Sequence, residues 1–284
     1  MLGEDLYAGI ALASSLKLST RIVTNGYWGA SPNKAAKVAR RLRESGLKEL
    51  NISTGRDHAK YVSVDAVLRA AQAAVDEEMF TLITIEQDAE DSDVVAQINS
   101  NPLFIALRNL GNEKFRHQIN TWMKFNDQHK DRSVGSSQVS RNNPCTQLFS
   151  NIVITPHKNI AACCGLTYEH IPEMRIGTLA STGLKAAFGE EAKDFLKIWI
   201  HIDGPDGVIR KIFDNEPPEE LISKDHMCDT CARLHKSELA RSKIRERYRE
   251  FYPEVMLRFG MKKFIDAKIT NEADKREIGG SNGT

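Results

Sequence analysis

The sequence predicts an α/β fold in its first part and a smaller α+β region after it. Two observations carry this. Helical patterns alternate with short β-branched runs through the first 90 residues, and all five cysteines fall later, from Cys145 onward, among a hairpin-like pair of strands and charged helices.

The elements follow in order. Leu6 to Leu18 is rich in alanine and leucine at helical spacing, and Thr20-Arg21-Ile22-Val23-Thr24 is a short strand. Asn25-Gly26 ends that strand, and Ser31-Pro32-Asn33 supplies a helix start. Lys34 to Ser45 places Ala35, Val38, Ala39 and Leu42 on one face and is closed by Gly46. Strand Glu49 to Ser53 leads into a polar loop with Gly55, Asp57 and His58. Helix Val64 to Glu78 and strand Phe80 to Ile85 come next. Strands alternating with helices in this way build a parallel sheet from βαβ units. Ligands of such sheets sit at the carboxyl ends of the strands, which puts Thr24-Asn25-Gly26, Ser53 to His58 and Glu86 on one rim.

Asp93 to Phe125 reads as mainly helical, interrupted near Gly111-Asn112, and Asn126 to Asn143 as a polar linker. Asn151 to Thr155 and Asn159 to Cys163 form a hairpin around Pro156. A helix from about Glu190 to Ile202 stops near Gly204-Pro205, and Ser237 to Lys263 is charged and helical. The residues from Gly279 to Gly283 have the composition of a disordered end. The expected division is 1–125, linker 126–143, 144–240, and a charged helical tail 241–284.

The chain is long enough for a substantial core. With 39 basic against 38 acidic residues it carries no overall footprint for nucleic acid or for an anionic membrane, so neither is expected as a partner. No apolar run is long enough to cross a bilayer. The acidic start, Met1-Leu2-Gly3-Glu4-Asp5, is unlike a secretory signal, so the cytoplasm is the expected location.

In that compartment cysteines stay reduced, and their clustering points to metal rather than to disulfides. Cys228-Asp229-Thr230-Cys231 is a Cys-X2-Cys pair, a spacing that brings two thiolates to one metal from a tight loop. A redox dithiol is the competing reading and would place the pair at a helix N-terminus after a strand. Cys163-Cys164 ends the second hairpin strand, where adjacent side chains point to opposite faces. One is expected to ligate and the other to pack as a small hydrophobe. Cys145 supplies a fourth thiolate. The cysteines alone leave zinc and iron–sulfur equally open.

Thr24-Asn25-Gly26-Tyr27-Trp28-Gly29, the helix ending in Gly46-Leu47, strand Leu50-Asn51-Ile52-Ser53 and loop Asp57-His58 resemble the middle of a radical S-adenosylmethionine (radical SAM) enzyme. The run Pro156-His157-Lys158-Asn159-Ile160-Ala161-Ala162-Cys163-Cys164-Gly165 is similar to the cysteine-terminated hairpin of that family's SPASM/twitch auxiliary domain. Ile176-Gly177-Thr178-Leu179 and the Cys228–Cys231 pair resemble the elements that follow it. The resemblance implies a partial (β/α) radical SAM-type barrel, then a small α+β domain holding an auxiliary [4Fe–4S] cluster. Its ligands would be Cys145, Cys163, Cys228 and Cys231, with Cys163 preferred to Cys164 on hairpin spacing and zinc as the alternative metal. It also implies radical chemistry on a peptide or small-molecule substrate.

Two departures matter. Lys158 stands where the family has a turn glycine, so Asn159 is expected to take the positive φ. The catalytic Cys-X3-Cys-X2-Cys is not in this sequence, and no cysteine precedes Cys145. The chain therefore reads as N-terminally incomplete and not competent alone. A partner chain or missing piece is expected to supply the first strands, and S-adenosylmethionine to bind only then. Thr24, Asn25, Ser53 and Asp57 would line the cofactor side, although ordinary strand-end and turn chemistry favours the same residue types. The other readings are a non-catalytic metal-binding scaffold or partner-recognition protein, and a decayed α/β protein that binds nothing.

Overall fold

A computed structural model describes residues 3–87, 93–120, 143–164, 171–223 and 226–280, with side chains to residue 269. The chain is mixed α/β and divides into two compact units, Met1–Ser136 and Ser137–Thr284, each with its own core.

In the first unit, α1 (Glu4–Ser15), β1 (Arg21–Thr24), α2 (Pro32–Glu44), β2 (Glu49–Thr54), α3 (Arg56–Ala59), α4 (Val64–Asp76), β3 (Phe80–Glu86), α5 (Asp93–Ser100), α6 (Pro102–Arg108) and β4 (Phe115–Asn120) follow one another. The four strands are parallel and lie in the order β1-β2-β3-β4, without a reversal. Leu50 and Ile52 on β2 pair in register with Thr81 and Ile83 on β3, and all four are fully buried. Helix α4 packs on β2 and β3. Its apolar side carries Ala66, Ala70, Ala71 and Ala74, whose small side chains let the helix approach closely, and the Ser63 hydroxyl caps it by accepting from the Ala66 N–H at 3.3 Å.

Two expectations fail in this unit. The loop after β2 contains a single helical turn, α3, which holds Asp57 and His58. The stretch 115–120, expected to be helical, is strand β4. Its backbone is bonded along β3 from Thr81↔Phe115 to Glu86↔Asn120, so a long-range ladder decides its conformation. Trp122, Phe125 and the expected linker 126–142 lie outside the described residues.

In the second unit, β5 (Val153–Ile154), β6 (Asn159–Ala161) and β7 (Arg175–Thr178) make an antiparallel sheet in that order. The hairpin turns through Pro156 and His157, and Lys158, not Asn159, takes the left-handed conformation with φ 63°. The Lys158 N–H donates to the Thr155 carbonyl at 2.9 Å and the Thr155 N–H to the Asn159 carbonyl at 3.0 Å. This is a type I turn closed by a left-handed residue, and that residue is the third of the loop.

Helices α7 (Leu184–Glu191), α8 (Phe195–Ile212), α9 (Met227–Lys236) and α10 (Glu238–Gly280) follow. Instead of stopping at Gly204-Pro205, α8 breaks there and resumes to Ile212. The first half of α10 is not only a solvated face. Ala240, Val255 and Phe259 are buried in the core, and Phe251 packs against Trp199 of α8 with ring centroids 5.0 Å apart. Its charges pair on the outside, as in Arg241 and Arg245 with Glu238. The end of the chain, 281–284, lies outside the described residues. Among those described, no helix is long and apolar enough to cross a membrane.

Candidate metal centre

All five cysteines line one open-mouthed cavity of the second unit. Leu148, Met174, Ile200, Pro205 and Met227 form its apolar walls. The thiols arrive from three separate parts of the chain.

Cys145 is positioned by the break in α8. In an unbroken helix the Ile200 carbonyl would accept from residue 204 and the His201 carbonyl from residue 205. Gly204 has left helical geometry (φ 71°, ψ 165°), and Pro205 has no N–H to give. The Ile200 carbonyl instead accepts from the Cys145 N–H at 3.2 Å. The His201 ring lies 2.8 Å from the Cys145 carbonyl, which can only accept, so Nδ1 carries the proton and donates. Both polar groups of the Cys145 backbone are thereby fixed. The chain passes so close that a Cβ on Gly204 would lie 2.1 Å from the Asn143 carbonyl oxygen.

Cys163 and Cys164 follow β6, which ends at Ala161. The expected strand alternation therefore does not govern them, and both line the cavity. Cys163 is 6% exposed and belongs to the apolar core, whereas Cys164 is exposed. The Cys228–Cys231 pair lies on the first turns of α9 and not in a loop. Residues three apart on a helix share a face, so both thiols meet the cavity. The His226 imidazole caps this helix by accepting from the Cys228 N–H at 3.1 Å, and burial holds His226 below the usual imidazole range, in the neutral form that can accept.

A helix N-terminus ordinarily lowers a thiol's pKa. Here the opposite effects win. A hydrogen bond with the Cys164 thiol, then burial, then the neighbouring thiols Cys164, Cys231 and Cys145 push Cys228 far up. Burial, followed by Cys145, Cys163 and Cys164, does the same to Cys231. These are protonated thiols when nothing positive is bound, and among the described residues no strand leads into α9, so the dithiol-enzyme arrangement is not reproduced there.

A zinc ion needs its sulfurs about 2.3 Å from one point. Among the described residues, no three His, Cys, Asp or Glu side chains are so disposed.

The other predicted residues lie in the first unit, at the carboxyl ends of β1 and β2. The Thr24 hydroxyl accepts from the Gly26 N–H and the Asn25 side chain from the Tyr27 N–H, each at 3.2 Å. Ser53 is half-buried near the end of β2, and Asp57 on α3 pairs with Lys60 at 2.8 Å. Sequence reasoning missed His201 and read Gly204-Pro205 as a stop. The signal available was the Gly-Pro dipeptide inside an otherwise continuous apolar pattern, which marks a break with liberated carbonyls as readily as an end. Comparison with known proteins adds no relative, since no protein-family model and no curated protein matches this sequence.

Proposed function

We propose that the second unit binds an iron–sulfur cluster in the cysteine-lined cavity, held by Cys145, Cys228, Cys231 and one thiol of the Cys163–Cys164 pair. The observation that carries this reading is the convergence of every cysteine in the chain on one cavity. Four cysteines are the usual ligand set of an iron–sulfur cluster, and the resemblance to the auxiliary-cluster domain favours that cluster over a single zinc ion. When bound, such a cluster transfers electrons or offers an iron to a substrate group. The protein's part is to hold the sulfurs, to fix Cys145 through Ile200 and His201, and to surround the site with a largely apolar wall.

The chain as a whole is read as a radical SAM/SPASM-like protein that belongs to an enzyme acting on a peptide or small molecule and is not competent alone. The strictly sequential parallel order of the first unit supports a partial (β/α) barrel, because singly wound barrels run their strands in sequence whereas doubly wound sheets reverse at a switch point. Further strands from a partner chain would pair along the edge strand β1. Thr24, Asn25, Ser53 and Asp57 would then face bound S-adenosylmethionine. The competing reading is a metal-binding scaffold without catalysis.

Anaerobic reconstitution with iron and sulfide, followed by iron counting and visible absorption, tests the cluster. Wild-type protein should take up iron and sulfide with a broad visible band, and Cys145→Ser, Cys228→Ser and Cys231→Ser should each lose most of it. Only one of Cys163→Ser and Cys164→Ser should do so. Stoichiometric zinc with no chromophore, or an unchanged chromophore in Cys228→Ser and Cys231→Ser, would refute the reading.

A further inference from the structure

The near-neutral charge of the whole chain hides a local feature of α10. Leu257, Met261, Phe264, Ile265 and Ile269 are 65%, 57%, 62%, 51% and 62% exposed. At 3.6 residues per turn they fall within one sector of about 140°. Val255 and Phe259, on the other side of the helix, are buried in the core of the same unit, and Phe259 packs on Phe149 with ring centroids 5.3 Å apart. The exposed stripe thus points away from the unit's own core. Scattered surface hydrophobes need no explanation, but five large ones contiguous along about three turns do. From Met261 to Ile269 the helix carries Lys262, Lys263 and Lys268 against a single acid, Asp266; Lys268 lies within the exposed sector, whereas Lys263 reaches back over the Phe259 ring, 4.7 Å from its centre.

We propose that this stripe docks on an anionic lipid surface, the helix lying in the plane of the headgroups with Leu257, Met261, Phe264 and Ile265 inserted. Lys268 distinguishes this occupant from a protein. It lies in the middle of the apolar sector, with Nζ 4.9 Å from the centre of the Phe264 ring. In a dry protein groove that ammonium would be buried and would need a matched carboxylate, at a cost of several kcal/mol if left alone. At a lipid interface its flexible stem reaches the phosphates, which are available at every position. A second copy of the chain is disfavoured for the same reason, because it would bury Lys268 against a stripe that itself holds no carboxylate. Basic amphipathic helices of low mean hydropathy bind membranes in this way, without a span.

The test is co-sedimentation of the full chain with vesicles of phosphatidylcholine alone and of phosphatidylcholine mixed in equal parts with phosphatidylglycerol. Binding should be confined to the mixed vesicles and should fall as salt is raised. Lys268→Ala should weaken it about fivefold, the weight of one lysine beside an anionic surface. Phe264→Ser should weaken it by more than tenfold, as expected for removing an inserted aromatic side chain. Both positions are solvent-exposed, so circular dichroism should be unchanged. Three results would overturn the proposal: no sedimentation with mixed vesicles, equal binding to phosphatidylcholine alone, or a light-scattering mass of two copies that Phe264→Ser returns to one.

Discussion

Gly204→Ala tests how Cys145 is held. At φ 71° and ψ 165° the backbone occupies a region that only glycine enters readily, and a side chain there costs about 1–3 kcal/mol. The added Cβ would also lie 2.1 Å from the Asn143 carbonyl oxygen, so one backbone segment has to move. If segment 143–145 moves, the bonds from the Cys145 N–H to Ile200 and from the His201 ring to the Cys145 carbonyl weaken together. Each contributes about 1 kcal/mol net. The expected loss is therefore on the order of 4 kcal/mol. In urea that lowers the midpoint by about 1 M or more, given a slope of roughly 3 kcal/mol/M. Trp199, fully buried in this unit, reports the transition in a Trp28→Phe, Trp122→Phe background. Native-state alkylation of Cys145, followed by mass spectrometry, should quicken in the same variant. Gly189→Ala is the control. That glycine is exposed within α7 and a Cβ there meets nothing, so the change should stabilise by about 0.5–1 kcal/mol. Should Gly204→Ala unfold within about 0.5 kcal/mol of wild type, with Cys145 no more reactive, the argument about the helix break is wrong.

At the hairpin, Lys158→Gly should stabilise by about 1 kcal/mol, since it relieves a non-glycine residue at φ 63°; a lower thermal midpoint for this variant would mean that the turn is not strained. Asp203, its side chain 8% exposed, joins the break in α8 to α10, accepting from Lys211 at 2.9 Å, Arg258 at 2.5 Å and the Trp199 indole at 2.9 Å. Burial alone would raise its pKa, but the hydrogen bonds from Lys211 and Arg258 outweigh it and hold the carboxyl below its usual value. A group depressed in this way contributes stability above its unfolded pKa, about 3.9, and loses it as pH falls through the lower folded value. Asp203→Asn should therefore cost about 2 kcal/mol at neutral pH, allowing for the partial exposure of both cationic partners. The gap to wild type should narrow below about pH 4, and a pH-independent gap in chemical denaturation would exclude the ionic account.

Elements with a local signature were legible in the sequence. Strands β1 to β3 are short β-branched runs between turn residues, and α2 and α4 carry apolar residues at helical spacing, so periodicity alone placed them within a few residues. Strand β4 was not, because Phe115-Arg116-His117-Gln118-Ile119-Asn120 takes its conformation from a ladder with β3, and no property of six residues states that a partner edge is waiting. The positive φ at Lys158 was assigned one residue too late for a similar reason. Asn159 tolerates that conformation better, but its pairing with Thr178 on β7 keeps it extended, which leaves Lys158 to make the turn.

The cysteines show the limit most clearly. Their clustering was visible, and it pointed to one site. That only one of Cys163 and Cys164 ligates rests on strand alternation, a rule that holds only inside a strand, and the preference for Cys163 rests on the hairpin spacing of the resemblance. With β6 ending at Ala161, the backbone after it bends, and neither residue is assigned to a face by parity. What separates them is their surroundings. Cys163 is packed in the apolar core, whereas Cys164 is exposed and bonded to the Cys228 thiol. Which of two adjacent cysteines packs in the core and which reaches the Cys228 thiol is therefore a property of how the hairpin meets α9, a contact between segments more than sixty residues apart, and spacing within either segment could not contain it.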